Sequence, residues 1–207
     1  MCVICSVAAA PQNDPTATDA EIAKLVETAE QSMQEESWPD AVEAWQAALD
    51  AAPNSAEIAY NLGVAAYREG RFDFSAEAFE RAASLGDADL AASAMYNEGT
   101  ARYADALERL NQPEEQSATT PQANEEPSED PIQEAIERVS NALTHFKDAS
   151  AARPGNTDAR VNAELATRLL KQLKEYQEQQ QDQQQQDQQQ QDQQQQDQQQ
   201  QDQQQQD

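Results

Sequence analysis

The chain has 207 residues, of which 13 are Lys or Arg and 39 are Asp or Glu, giving a formal net charge of −26 at pH 7. So acidic a chain repels phosphate backbones and anionic lipid heads, which excludes nucleic acid as a partner and leaves membranes reachable only through other proteins. No apolar run approaches the roughly 18 residues of a membrane-spanning helix, and a chain rich in Ala, Leu and Glu with five glycines points to an all-α fold.

Residues 1–18 read as a leader. In "MCVICSVAAAPQNDP", Val3 to Ala10 form an apolar stretch, and Val7 and Ala9 fit a small-residue cleavage site. The basic start of an export signal is missing, so the leader is either part of such a signal or an unstructured lead-in. Cys2 and Cys5 form a CxxC with no strand before it and no second cysteine pair, so neither redox chemistry nor zinc is assigned to it.

A first helix runs from about Asp19 to Glu35, carrying Leu25 and Ala29, with Asp19 able to cap it. "SWPDAVEAWQAALDAAPN" is the next helix, with Pro39 at its start and Pro53 beyond its end. "AYNLGVAAYREGRFDFSAEAFERAASLGD" then holds a helix, a turn at Gly70 and a second helix with Phe79 at its centre. A fifth helix, Leu90 to Leu110, has Tyr96, Gly99, Tyr103, Leu107 and Leu110 on one side, and a sixth spans Pro131 to Ala152 with Ile132, Ile136, Val139, Leu143 and Phe146 at helical spacing. The insertion 111–131 is rich in Pro, Ser and acids, has nothing to bury, and reads as a disordered loop. A last helix begins near Asn156 or Thr157 and carries Val161, Leu165, Leu169, Leu173 and Tyr176. The Gln/Asp tail, 179–207, has no apolar seam for a coiled coil and is expected to be frayed or disordered.

Trp45 and Phe79 lie 34 residues apart, and each of Trp45, Phe79 and Phe146 has Ala or Ser four residues before it and Ala three after. Leu62 and Gly63 precede Phe79, and "MYNEG" repeats "AYNLG" with Gly99 in the place of Gly63. This pattern resembles the tetratricopeptide repeat (TPR), W-x2-L-G-x2-Y, then A-x3-F, then P, over 34 residues. The resemblance implies a right-handed solenoid of about three helix pairs over 19–178: 22–55, 56–89, 92–156, and a capping helix at 157–178. In such a solenoid a glycine at 63 and 99, and Ala29 in the first pair, lets an aromatic ring seat against the helix backbone. That contact offsets the roughly 1 kcal/mol propensity cost of a mid-helix glycine.

No catalytic constellation emerges. His145 is the one histidine, no glycine-rich phosphate loop occurs, and the carboxylates are scattered, so no enzyme, cofactor, metal or small-molecule substrate is assigned. The first helices of TPR pairs line the concave surface, and this implies a partner-binding wall made of Tyr60, Asn61, Tyr67, Arg68, Tyr96, Asn97, Tyr103 and Asn162. A carboxamide both donates to and accepts from a peptide backbone, and tyrosine offers a rigid face with a polar tip. The same residues have a second reading, in which the tyrosines belong to the core and the asparagines bond neighbouring helices. The basic clamp by which some TPR cochaperones hold a carboxylate-ended peptide is not matched, because its places hold Val26, Glu30, Ser93 and Asn97 and only Asn61 agrees.

The ending "ARPGNTDARVNAELATRLLKQLKEYQEQQQ" resembles TPR proteins of bacterial aerotolerance (Bat) operons, through Pro154, Asp158, Ala159, Arg160, Asn162, Glu164 and Leu165 and the glutamine tail that follows. That resemblance implies a non-catalytic protein of a bacterial envelope or periplasmic complex with a von Willebrand A domain partner. A cytoplasmic, chaperone-like assembly scaffold is the alternative.

Overall fold

The computed structural model describes residues 18–111 and 131–204. The leader, the bulk of the insertion and the last three residues lie outside them. Among the described residues there are seven helices and no strand: α1 (Asp19–Gln34), α2 (Trp38–Ala51), α3 (Ala56–Glu69), α4 (Phe72–Leu85), α5 (Ala88–Asn111), α6 (Pro131–Ala152) and α7 (Thr157–Gln204). None of these is long and apolar enough to cross a membrane.

Each boundary has a local cause. At α1 the cap is Thr18, one residue before the expected Asp19, because Thr18 and Glu21 form a reciprocal capping box. The Thr18 N–H donates to the Glu21 carboxylate at 2.7 Å and the Thr18 hydroxyl does so at 2.9 Å. These two bonds hold the Glu21 carboxyl below its ordinary range. The bonds favour the ionised form, so their contribution is present above the unfolded carboxyl range and is lost as pH falls through the lowered one. Pro39 stands in the first turn of α2, where its missing N–H would be unpaired anyway. Gly70 ends α3 at φ +88°, a left-handed cap that side chains with a Cβ resist. Asp87 accepts from the N–H groups of Asp89 and Leu90 at the start of α5. Asn156 does the same for Ala159 in α7, at 3.0 Å.

Consecutive helices pack against each other from α1 to α7, and α3 also touches α5, and α5 touches α7. The chain is therefore a row of hairpins whose odd-numbered helices share one wall. Alanine fills most of the buried positions, which lets helices approach closely. The largest buried side chains are spaced along the row: Trp45, Leu62 and Phe79, then Val139 and Phe146. The indole N–H of Trp45 is buried without a hydrogen-bond partner among the described residues. α7 continues as helix to Gln204. Glutamine is a good helix former, and no Gly or Pro follows Gly155 to stop it. The side chains from Gln181 to Gln186 are exposed.

Gly63 sits where the expected aromatic seat should be. A Cβ at that position would lie 2.8 Å from the Phe79 ring, and at Gly99 it would lie 3.0 Å from the Phe146 ring. Phe79 is fully buried and cannot retreat. Gly63→Ala is expected to destabilise by about 1–3 kcal/mol, as overpacking does, despite its gain in helix propensity, and Gly99→Ala by less. Urea unfolding of the two variants checks the order. Ending the chain after Gln180 is expected to leave the melting temperature within about 2 °C of the full chain, read by circular dichroism.

Candidate functional site

The wall is built from α3, α5 and α7, with α1 at its far end. Tyr60 and Asn61 stand just before the buried pair Leu62 and Gly63, and Tyr96 and Asn97 just before the buried pair Glu98 and Gly99. Helical geometry then turns Val64, three to four residues further on, and Tyr67 and Arg68, about two turns on, toward the same side. Two adjoining cavities open there. One, of about 310 Å³, is lined by Val64, Tyr67, Arg68, Phe79, Asn97 and Thr100. The other, of about 440 Å³, is lined by Tyr60, Tyr96 and Asn97 with the α6–α7 turn. Asn97 borders both.

Five of the eight expected residues, Tyr60, Tyr67, Arg68, Tyr96 and Asn97, thus line these cavities. The tyrosines are half-buried and their rings lie on other aromatics: Tyr60 on the buried Phe79 at 5.4 Å, Tyr67 on the half-buried Phe72 at 5.3 Å, Tyr96 on the buried Phe146 at 6.0 Å. Tyr103 also packs on Phe146, at 6.4 Å, and borders neither cavity. Burial raises its phenol above the ordinary range. The asparagines divide. Asn97 donates to the Tyr60 hydroxyl at 2.7 Å and Asn162 to the Tyr96 hydroxyl at 3.2 Å, so each is a rung between successive odd-numbered helices. Among the described residues, each rung leaves the carboxamide oxygen without a donor. Asn61 has no tyrosine one helix back, since Val26 holds that register, and its side chain makes no hydrogen bond among the described residues. Arg68 has no carboxylate partner there either; its guanidinium lies 6.0 Å from the Trp38 ring centroid.

Comparison with solved structures bears on the fold. The first TPR domain of Spaghetti (RPAP3), solved bound to the HSP90 peptide SRMEEVD, aligns with a TM-score of 0.54 at 14% identity, over 76% of this chain and 98% of that one. The fold is a TPR solenoid. The Sgt2 TPR domain from Aspergillus fumigatus aligns with a TM-score of 0.47 at 17% identity, over 77% of this chain and 85% of that one. The Arabidopsis OM64 TPR domain aligns with a TM-score of 0.49 at 16% identity, over 70% of this chain and 93% of that one. No protein-family model matches the sequence, and no curated protein matches it.

Against that TPR frame, the third hairpin carries something the sequence reading missed. Glu98 occupies the register of the buried Leu62, Arg102 that of the buried Ala66, and His145 that of the buried Ala78. The three form one cluster. Glu98 is 3% exposed, and it accepts from Arg102 at 2.7 Å and faces His145 Nε2 at 3.1 Å. An apolar trio in the second hairpin is thus a polar trio in the third. A second cluster ties α4, α5 and α6 together. Asp105, 6% exposed, pairs with Arg109 and Arg138, and both arginines also reach Asp73 and Glu134. Burial works against the charge of both guanidiniums. The carboxylates outweigh it, Asp105 for Arg109 and Glu134 with Asp105 for Arg138, and both titrate above the ordinary arginine range. The substitution of Glu98 for Leu62 in "MYNEG" was the available signal, but its partners lie on other turns and helices.

Asp105→Ala leaves Arg109 and Arg138 facing each other. It is expected to destabilise by about 1–3 kcal/mol, the loss of hydrogen bonds between charged groups, while both arginines keep Asp73 and Glu134. The value stays below the cost of breaking a fully buried pair because both arginines reach solvent. Urea denaturation checks it, and high salt should shrink the difference from the unsubstituted protein.

Proposed function

We propose that this protein is a non-catalytic adaptor that holds an extended segment of a partner protein along the wall of its odd-numbered helices. The observation that carries the reading is the pair of adjoining cavities that meet at Asn97, floored by aromatic rings and edged by carboxamides with acceptors to spare. An extended peptide backbone supplies the matching N–H groups, and TPR folds recognise protein segments on this kind of wall. The finer reading places the adaptor in a Bat-type complex of a bacterial envelope, with a von Willebrand A domain protein as partner. What supports it is the ending of the chain, with Pro154, Asp158, Arg160, Asn162, Glu164 and Leu165 before a glutamine tail.

A second reading, a cytoplasmic chaperone-like scaffold, draws on the RPAP3 domain and its HSP90 peptide. It requires a carboxylate-ended ligand. The registers that would clamp such an end hold Val26, Glu30, Ser93 and Asn97, none of them cationic, so the first reading is preferred.

The test pairs capture with folding. Full-length protein is used to capture partners from envelope and soluble fractions, alongside Asn61→Ala/Tyr67→Ala and Asn61→Ala/Asn97→Ala variants. The expected outcome is recovery of a von Willebrand A domain protein from the envelope fraction, with capture falling about tenfold or more, at least 1.4 kcal/mol, in both variants. Helicity should persist, with the Asn97 variant losing about 1 kcal/mol of stability for its rung to Tyr60 and the Tyr67 variant about 1–2 kcal/mol for its ring on Phe72. Undiminished capture by both variants would overturn the groove, and recovery of the partner from the soluble fraction alone would overturn the envelope assignment.

A further inference from the structure

The odd-helix wall is apolar at its centre and acidic at its ends. Its central cavity has Phe79 as floor and Val64 and Tyr67 as sides, and at about 310 Å³ it is the size of a small ligand pocket. The apolar surface continues onto α7. The bond from Asn162 to Tyr96 turns that side of α7 onto the wall, and Leu165, three residues on, shares the face. Leu165 is 44% exposed and the neighbouring Val161 is 49% exposed, so two large apolar side chains stand uncovered beside the rung.

The charges around this centre are unevenly committed. In the larger cavity the cation is already used. Arg153 donates to the Asp89 carbonyl and carboxylate and to Ser93. Asp158, which lines the same cavity, has no hydrogen bond or ion pair among the described residues. At the α1 end, Glu27 and Glu30 stand at the registers of Asn61 and Val64, both exposed and without a partner among the described residues. Arg68 is the opposing cation, and the ring of Trp38 faces it. A wall with free carboxylates at both ends, on a chain of net charge −26, steers cationic segments in and turns acidic ones away.

We propose that the occupant of this wall is an extended partner segment in which a large apolar side chain is flanked by lysines or arginines. The apolar side chain enters the cavity over Phe79, and the flanking cations meet Asp158 at one end and Glu27 with Glu30 at the other. This inference rests on the reading of the wall as a binding groove and adds to it the chemistry of what binds. The ligand class is opposite in charge to the peptide in the RPAP3 complex, whose sequence ends in acidic residues.

The experiment uses the full-length chain and a labelled peptide, acetyl-Ser-Lys-Ser-Leu-Ser-Lys-Ser-amide, which puts its lysines and leucine on one face of an extended strand. Two comparators carry Glu for Lys, or Ser for Leu. Binding is read by fluorescence anisotropy at low and at physiological salt. The expected result is binding of the parent peptide alone. It should weaken about tenfold with Asp158→Asn/Glu27→Gln, and be lost with Val64→Glu, which fills the central cavity while adding negative charge. Thr100→Glu fills the same cavity and replaces Val64→Glu if that variant loses helicity. Equal binding of the Glu peptide, abolished by Val64→Glu, would overturn the charge selection and leave the groove standing. Equal binding of the peptide without leucine, or undiminished binding by the cavity-filling variants, would show bulk attraction to an acidic surface and overturn both. Failure of every peptide to bind at about 1 mM would overturn the inference.

Discussion

The seat of an aromatic ring on a glycine is the contact from which the rest of this structure follows. Two helices joined by a short turn close only as far as their side chains allow. With Phe79 against Gly63 and Phe146 against Gly99, a ring lies where a Cβ would otherwise stand. In the second hairpin the seat is fastened further, because the hydroxyl of Ser75 donates to the carbonyl of Gly63 at 2.8 Å inside the core. The serine replaces the alanine usual at that place in the repeat and gives its hydroxyl a partner, so the substitution carries no buried unpaired group. Close hairpins then present odd-numbered helices at regular intervals, and the wall exists because of that regularity.

Two kinds of polar contact lock one hairpin to the next. On the wall, the Tyr60–Asn97 and Tyr96–Asn162 rungs span successive odd-numbered helices. Away from it, Asp105 gathers Arg109 and Arg138, which bring Asp73 of α4 and Glu134 of α6 into the same cluster. The first hairpin has neither device: Val26 stands where a rung tyrosine would be, and its core is held by Trp45 and alanines. The molecule thus changes character along its length, from apolar stacking at the α1 end to ion-paired stacking around α5. Salt screens only the second kind.

Much of this was legible before any coordinates. A 34-residue period, a glycine at one register and an aromatic at another fix which helices pair, since those features are written along the chain itself. The wall was legible to the same extent, because register places Tyr60, Tyr67, Tyr96 and Asn97 on one side. The fate of each asparagine was not. Asn97 and Asn162 find their partners on the preceding odd helix, and only the closeness of the helices decides between a rung and a free amide. The polar trio was half visible, as a glutamate at a leucine register, while Arg102 and His145 look like ordinary surface residues until α6 packs on α5.

Phe79 has two occupied sides. One face of the ring rests on the Gly63 backbone, and the residue also forms the floor of the central cavity. Any substitution that deepened or reshaped that floor would unseat the hairpin, so the depth of the cavity is frozen by folding. The shape of the cavity can change only at the brim, where Val64, Arg68 and Thr100 stand clear of the keystone beneath them.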